Sequence, residues 1–242
     1  MKVLVIIPTY NEAENIRSVI QQVFEEVKAA HILVVDDSSP DGTATLVQET
    51  IAKRETQKLF LLERPNKEGL GKAYLSGFQW ALARQYDYIF EMDADLSHNP
   101  KELLPMLALL KENKADLVIG SRYVSGINVV NWPLSRIILS YGASFYVRMI
   151  TGMRIKDPTA GFVGYKSVVL KTILKYPLHF VGYAFQIEMK YKAWKSGFSL
   201  KEHPIVFQNR EKGASKMNSS IIFESIYGVI YLKFAYLFKR KL

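Results

Sequence analysis

The sequence predicts an α/β protein, a mostly parallel sheet with helices on both faces. Two observations carry that expectation. From Lys2 to Ile119, apolar runs of strand length alternate with longer segments of helical period. Several of the runs stop at a polar or acidic cluster, and sheets of this kind bind ligands beyond the carboxyl ends of their strands. Length agrees, because 242 residues at 49% hydrophobic content suffice for one large domain with a substantial core. The chain has no Cys, which excludes a disulfide scaffold, a thiolate nucleophile and thiolate metal sites, and suits a cytosolic protein.

Lys2 to Ile7 is an apolar strand closed by Pro8, too short for a signal peptide, and no targeting segment is read. Ala13 to Val27 carries a helical stripe of Ile16, Val19, Ile20, Val23, Phe24 and Val27. Ile32 to Val35 is the second strand, followed by the carboxylate-rich loop Asp36 to Thr43 with its Pro-Asp-Gly turn and a helix to about Ala52. Leu59 to Leu62 is a third strand and Gly69 to Ala83 a third helix. Gly69-Leu-Gly71-Lys72 lacks the spacing of either glycine-rich nucleotide motif, so it is expected only to turn the chain into that helix.

Tyr88 to Met92 is a fourth strand, and it delivers the pair Asp93 and Asp95. Side chains two apart on an extended chain share a face, so both carboxylates can converge on one object. Oxygen ligands suit a hard divalent cation, Mg²⁺ or Mn²⁺, which keeps positions open for substrate phosphates. An isolated Asp-x-Asp could equally begin a solvated turn. Three clusters on one edge, Pro8 to Glu12, Asp36 to Asp41 and Asp93 to Asp95, instead imply a site.

Asn99 and Pro100 open a helix to Glu112, and Asp116 to Ile119 is a fifth strand leading to Arg122. That guanidinium suits a phosphate; the alternative is a surface Arg paired with a nearby Asp. Asn131 to Arg148 is an apolar, aromatic helix in which Arg136 and Ser140 share a face, Arg136 either snorkelling or meeting a buried anion. Asp157 to Phe162 is a tight turn, Phe180 to Trp194 a helical run holding Glu188, and Ile205 to Gln208 a short strand. Asn209 to Asn218 is a basic loop, and Ile221 to Phe238 is apolar, aromatic and too charged for a stable membrane span. With Lys-Arg-Lys241 at its end, this tail suits a helix in the membrane interface or one docked on the domain. Formal charge is +9, and Arg210 to Leu242 holds seven basic residues against two acidic. The asymmetry points to a polyanion: nucleic acid, phosphorylated ligand or anionic membrane.

Taken in order, Pro-Thr-Tyr-Asn-Glu12, Asp-Asp-Ser-Ser-Pro-Asp-Gly-Thr43, Met-Asp-Ala-Asp-Leu-Ser-His98, Gly-Ser-Arg-Tyr123 and Asp-Pro-Thr-Ala-Gly-Phe162 resemble the family 2 glycosyltransferases of GT-A (Rossmann-like) fold, and among them the dolichol-phosphate (polyprenol-phosphate) mannose synthases. The resemblance runs from Val3 to about Asn218, which divides the chain into a catalytic domain at 1–218 and an amphipathic, interfacial tail at 219–242. It implies that Pro8, Tyr10, Glu12, Val35 and Asp37 hold the nucleotide of GDP-mannose, and that Asp93, Ala94 and Asp95 complete the nucleotide and metal shell. Ser97 stands where some relatives carry a metal-ligating Gln, so Ser97 or a water fills that place. Arg122, Arg136 and Ser140 would receive donor or acceptor phosphate, with Arg210 and Lys216 on a loop closing over the complex.

The implied reaction is metal-dependent transfer of mannose from GDP-mannose to a polyprenyl (dolichyl) phosphate, with inversion, by an enzyme held at the cytosolic membrane face. Members of the family carry transmembrane helices or rely on small membrane subunits; here the aromatic tail would place the site against the bilayer. Asp157 and Glu188 would position groups rather than abstract a proton, because an acceptor phosphate is already an anion. The acidic motifs do not report base or sugar, so a UDP-glucose transferase stands as the alternative. A nucleic-acid-binding protein fits poorly, since the basic residues gather near an apolar tail and the ligand edge is acidic.

Overall fold

Strand β1 (Val3–Thr9) is buried on both faces, as its unbroken aliphatic run requires of a central parallel strand. It pairs in parallel with β2 (Ala30–Asp36) on one side and β4 (Tyr88–Glu91) on the other, and β3 (Leu59–Glu63) extends the sheet beyond β2. The crossovers are α1 (Ile16–Glu26), α2 (Thr43–Lys53) and α3 (Leu70–Ala83). A 3₁₀ turn at Pro100–Glu102, capped by Asn99 and opened by Pro100 as expected, leads into α4 (Leu103–Lys111) and β5 (Leu117–Ser121). The computed structural model describes residues 1–53, 57–182, 184–209 and 227–235.

After β5 come β6 (Val129–Val130), α5 (Leu134–Thr151), β7 (Val163–Lys166), α6 (Ser167–Ile173), α7 (Ala184–Lys195), β8 (Leu200–Pro204), β9 (Phe207–Gln208) and a helix α8 at 227–235. The main sheet has the order β3-β2-β1-β4-β7-β5-β8, with β7 antiparallel to both neighbours, and β6 pairs with β9 in a separate two-stranded ribbon. The expected mostly parallel sheet is therefore present. Strands β7 and β8 and helix α6 were not legible. β7 has four residues, one of them Gly164, whose place is fixed by a Phe90 ring atom 2.5 Å from where a Cβ would stand. β8 is a partly exposed, polar edge strand ending in Pro204, which gives no alternating pattern.

Alternation along the strands splits the core into two layers. Leu4, Ile6, Leu33 and Val35 face α3 and α7, where they meet Tyr74, Phe78, Phe185 and Met189. Val3, Val5, Ile7, Ile32 and Val34 face α1 and α4, meeting Ile16, Ile20, Met106 and Leu110. Each such aliphatic side chain contributes about 1.5–3 kcal/mol by leaving water, so the sheet is a stiff platform for whatever its ends carry.

Two glycines make the helix contacts. A Cβ on Gly71 would lie 2.9 Å from the Phe185 ring and 3.0 Å from Val181 Cα, so the first turn of α3 approaches the segment before α7 closely. Gly69 enters α3 at φ 105°, so this glycine pair turns and packs the chain. Gly228 lets α8 sit on Phe180 and Ala184 in the same way, while Val229 and Leu232 are buried in the core. Thus the described part of the tail docks on the domain by one edge and leaves Tyr227, Tyr231 and Phe234 exposed. The rest of 219–242 lies outside the described residues. Among the described residues no helix is long and apolar enough to cross a membrane.

Candidate active site

Strand directions decide which loops meet. β1 to β5 run one way, and β7 runs against them, so the carboxyl ends of β1, β2, β4 and β5 and the amino end of β7 share one edge. The clusters at Pro8 to Glu12, Asp36 to Asp41 and Asp93 to Asp95, together with Arg122 and the turn Asp157 to Phe162, all lie there.

The first two loops are laced together. Pro8 stands opposite buried Val35, and Thr9 opposite Asp36. Thr9 Oγ1 donates to Asp36 Oδ1 at 2.7 Å, and Ser39 donates to Asp36 from its backbone (2.9 Å) and hydroxyl (2.6 Å). In return Asn11 N donates to Ser39 Oγ at 3.0 Å, Glu12 N to Thr43 Oγ1 at 3.0 Å and Ala13 N to Asp41 Oδ2 at 3.0 Å. Burial would raise the Asp41 carboxyl, but donors from Thr43 and Ala13 hold it below the usual carboxylate range. The Glu12 carboxylate accepts from Asn15 Nδ2 at 3.1 Å, and Lys67 Nζ sits 4.1 Å from the Tyr10 ring centre.

Asp37 is nearly buried and receives Arg64 Nη1 at 2.7 Å, while Arg64 Nη2 reaches Glu68 at 2.8 Å. Burial pushes the Asp37 carboxyl up, with the Arg64 charge opposing it. Sequence reasoning missed Arg64. The available signal was its place directly after β3, one more charged residue on the same edge.

Asp93 follows β4 with its side chain 35% exposed, and Asp95 lies deeper at 7%. Their loop is tightly held: Asp93 N donates to His98 Nδ1 at 3.2 Å, and Ser97 N to Asp95 Oδ1 at 3.1 Å. As Nδ1 accepts, a neutral His98 carries its proton on Nε2. Leu96 is held at φ 61°, unusual for a bulky residue, and Asn11 (57°) and Ser38 (52°) are left-handed in the two loops beside it. Three of the six non-glycine residues with positive φ among the described residues thus lie in the loops that carry the clusters.

A divalent ion fits these residues. Asp93 and Asp95 supply oxygen donors, and Ser97 Oγ is buried next to them with no hydrogen-bond partner among the described residues. No group of three or more His, Cys, Asp or Glu able to hold a metal occurs among the described residues. Two carboxylates beside a hydroxyl suit Mg²⁺ or Mn²⁺, which uses one or two carboxylates and takes its other oxygens from substrate and water.

Arg122 is paired with an Asp, as the alternative reading had it, but the pair is buried rather than superficial. Its Nε and Nη2 donate to the two oxygens of Asp157 at 2.7 Å each, its backbone N at 3.0 Å, and Nη2 also to Thr159 Oγ1 at 2.8 Å. Asp157 is fully buried, and burial alone would raise its carboxyl; the Arg122 charge and hydrogen bonds outweigh this and hold it below its usual range. Glu202 fixes the neighbourhood by accepting from Ser121 Oγ (2.7 Å), Asp157 N (2.9 Å) and Lys156 N (2.7 Å). On α5, Arg136 Nη1 donates to Asn209 Oδ1 at 2.9 Å, its guanidinium stacks 4.0 Å over Trp132, and Ser140 Oγ accepts from Tyr123 OH at 2.7 Å. Arg136 and Ser140 do share a face, and it is the one turned to the domain.

Beneath the edge lies a polar layer that no sequence pattern announced. Glu91 is fully buried and accepts from Tyr165 OH at 2.8 Å and from Gln186 Nε2. Lys190, also fully buried, donates to Ala160 O (2.7 Å), Gln186 Oε1 (3.0 Å) and Gln186 O (3.1 Å). Burial pushes Glu91 up to about 7 and Lys190 down to about 8, each restrained by the other's charge. Glu188 binds the backbone of His179 and Phe180 and the Lys192 ammonium, so it anchors a turn, in keeping with a positioning role. Arg210 and Lys216 lie outside the described residues.

Comparison with known proteins accords with this architecture. The chain is 46% identical over 228 residues to a polyprenol monophosphomannose synthase of Mycolicibacterium smegmatis, covering 94% of this chain and 85% of that one. It is 42% identical over 229 residues to an undecaprenyl-phosphate mannosyltransferase of Micrococcus luteus, covering 95% and 93%. Among solved structures, the fold is shared with glucosyl-3-phosphoglycerate synthase of Mycobacterium tuberculosis (TM-score 0.70, 15% identity, 96% of this chain and 79% of that one). It is also shared with the Pyrobaculum calidifontis mannosyltransferase PcManGT in complex with GDP-Man and Mn²⁺ (TM-score 0.62, 16% identity, 96% and 69%). The pattern of glycosyl transferase family 2 matches residues 4–174, a span that takes in the acidic pair, Arg122 and the Asp157 turn. The chain belongs to glycosyl transferase family 2 and is a glycosyltransferase of GT-A fold.

Proposed function

We propose that the chain transfers mannose from GDP-mannose to a polyprenyl phosphate, with inversion at the anomeric carbon and with Mg²⁺ or Mn²⁺. One observation carries the reading: α5 turns phosphate-binding chemistry inward and an apolar stripe outward. Arg136, Ser140 and the buried Ser144 face the site, whereas Leu134, Ile138, Phe145 and Met149 on the opposite side are between 59% and 71% exposed. A helix of 18 residues, about 27 Å long, with this division suits an acceptor whose phosphate enters the protein while its hydrocarbon stays in lipid. The mannosyltransferase relatives at 42% and 46% identity, named for polyprenyl acceptors, support the same acceptor class. The enzyme would lie peripherally on the cytosolic face of a membrane, with the aromatics of α8 as a further contact.

In this reading Pro8, Tyr10, Glu12, Val35 and Asp37 bind the nucleotide, Asp93 and Asp95 hold the metal with Ala94 between them, and Ser97 completes or orders the shell. The metal, when bound, supplies positive charge against the departing diphosphate. Arg122 and Arg136 gather two anionic reactants that would otherwise repel, and Ser140 orients a phosphate oxygen; Arg210 and Lys216, outside the described residues, would add positive charge for the same phosphates. An acceptor phosphate oxygen attacks C1 of mannose in line as the bond from C1 to the GDP oxygen breaks, and its electron pair leaves with GDP. No proton need be removed first, which fits Asp157 and Glu188 being committed to Arg122 and to a turn.

The test is transfer of labelled sugar from GDP-mannose, and in parallel UDP-glucose, to a polyprenyl phosphate in detergent with Mn²⁺, for wild type and Asp95→Ala. Mannolipid made only by the wild type supports donor, acceptor and metal site together. Glucolipid alone would overturn the donor, and no lipid product would overturn the acceptor.

A further inference from the structure

Arg122 and Arg136 come from different elements, carry like charges and nevertheless approach one ring. The Arg136 guanidinium lies 4.0 Å from the centre of Trp132 and that of Arg122 5.8 Å from the same centre. Trp132 meets Phe207 edge-on at 5.4 Å, and Arg122 lies 5.7 Å from the Phe207 ring. Phe207 meets His98 edge-on at 5.4 Å, and His98 stacks on Phe162 at 4.9 Å while accepting the backbone N–H of Asp93. A continuous line of rings therefore joins the two arginines to the loop of the acidic pair. The β6–β9 ribbon holds it in place: Val129 is registered with Phe207, and Gln208 N reaches Ser97 O at 3.4 Å.

We propose that Trp132 is a positioning residue that holds the Arg122 and Arg136 guanidiniums as one phosphate-receiving pair, in fixed relation to the Asp93 loop through Phe207 and His98. The inference rests on the reading of the arginines as phosphate ligands. An aromatic face attracts both cations without adding negative charge. The Trp132 indole N–H is buried without a hydrogen-bond partner among the described residues, so the ring is retained here for its face and not for a polar contact of its own.

A double-mutant cycle on the transfer assay tests this. Trp132→Leu should lower kcat/KM about ten-fold, and Trp132→Phe should recover most of that loss. The Trp132→Leu/Arg136→Met double variant should lose clearly less than the product of the two single losses, because Trp132 acts in large part through Arg136, the closer of the two guanidiniums. Melting temperatures measured alongside separate this from simple unfolding, and if Trp132→Leu does not fold the cycle is run with Trp132→Met, which keeps the apolar bulk without the ring. Losses that multiply in the double variant, or a Trp132→Phe variant as slow as Trp132→Leu, overturn the proposal. Failure of the donor reading shows in the wild type alone: transfer from UDP-glucose only moves the same cycle to that donor, and transfer from neither overturns both.

Discussion

Replacing Asp157 with Asn should be among the most damaging single-atom changes in the molecule. The carboxylate is fully buried and the Arg122 side chain is 11% exposed, so little solvent screens the pair. Two charge-assisted hydrogen bonds at 2.7 Å and a backbone donor at 3.0 Å end on Asp157. An amide keeps the shape but removes the one charge of this buried pair that faces the Arg122 guanidinium, and breaking a buried pair costs about 3–5 kcal/mol. For a chain of this size that corresponds to a fall in melting temperature of about 6–20 °C. Circular dichroism melts at pH 7 check the value, and an acid series checks its origin. The native carboxyl is held below its unfolded range, so its contribution is complete above that range and disappears as pH falls through the lower native value. The gap between wild type and Asp157→Asn should therefore be constant from pH 7 to about 5 and narrow below about 4. Removing both partners, as in Asp157→Asn/Arg122→Met, should cost less than Asp157→Asn alone. A neutral-pH loss under about 1 kcal/mol, or a gap that persists into strong acid, would refute the buried ion pair as the source.

Three other outcomes are expected. Gly71→Ala places a methyl 2.9 Å from Phe185 and 3.0 Å from Val181 Cα, so it should destabilise by about 1–3 kcal/mol in urea titrations. Tyr74→Phe removes a fully buried hydroxyl that has no hydrogen-bond partner among the described residues; a melting temperature raised by about 2–4 °C per kcal/mol recovered is expected, and a lowered one would contradict it. Ile138→Glu with Phe145→Glu on the outer face of α5 should leave the melting temperature within about 2 °C of wild type, since surface changes are small. The same pair should lower recovery on anionic vesicles at least ten-fold, and unchanged recovery would remove α5 from the membrane reading.

Much of this architecture could be read from residue order alone, for identifiable reasons. β1 to β5 and their helices announce themselves because each burial pattern has one period, and the acidic pair because it follows a strand. What escaped depends on partners far apart in sequence. Glu91 and Gln186 are separated by 95 positions, and neither is unusual until the fold brings them together. Helix α7 buries ten consecutive residues, Glu188, Lys190 and Lys192 among them, so no polar face marks its orientation. Arg122 was legible as a charged residue at a strand end while its tie to Asp157 was only an option, because a sequence places an arginine there without saying what it grips. Among the described residues the largest exposed apolar stripe is on α5, whose embedded arginine disguised a two-faced helix.

The reversed strand has a consequence in time. β7 slots between β4 and β5, and it contacts partners about 45 to 75 positions earlier in the chain, as Val163 with Ile119 and Tyr165 with Ile89. Pairings at such separation form late, after the local helix–strand units have condensed. β1 and β4 are about 85 positions apart, so the loop of the acidic pair and the Asp157 turn, which orients Arg122, both wait on long-range pairing. A newly made chain would therefore complete this edge in one late event, because β4 is the strand that both long-range pairings share.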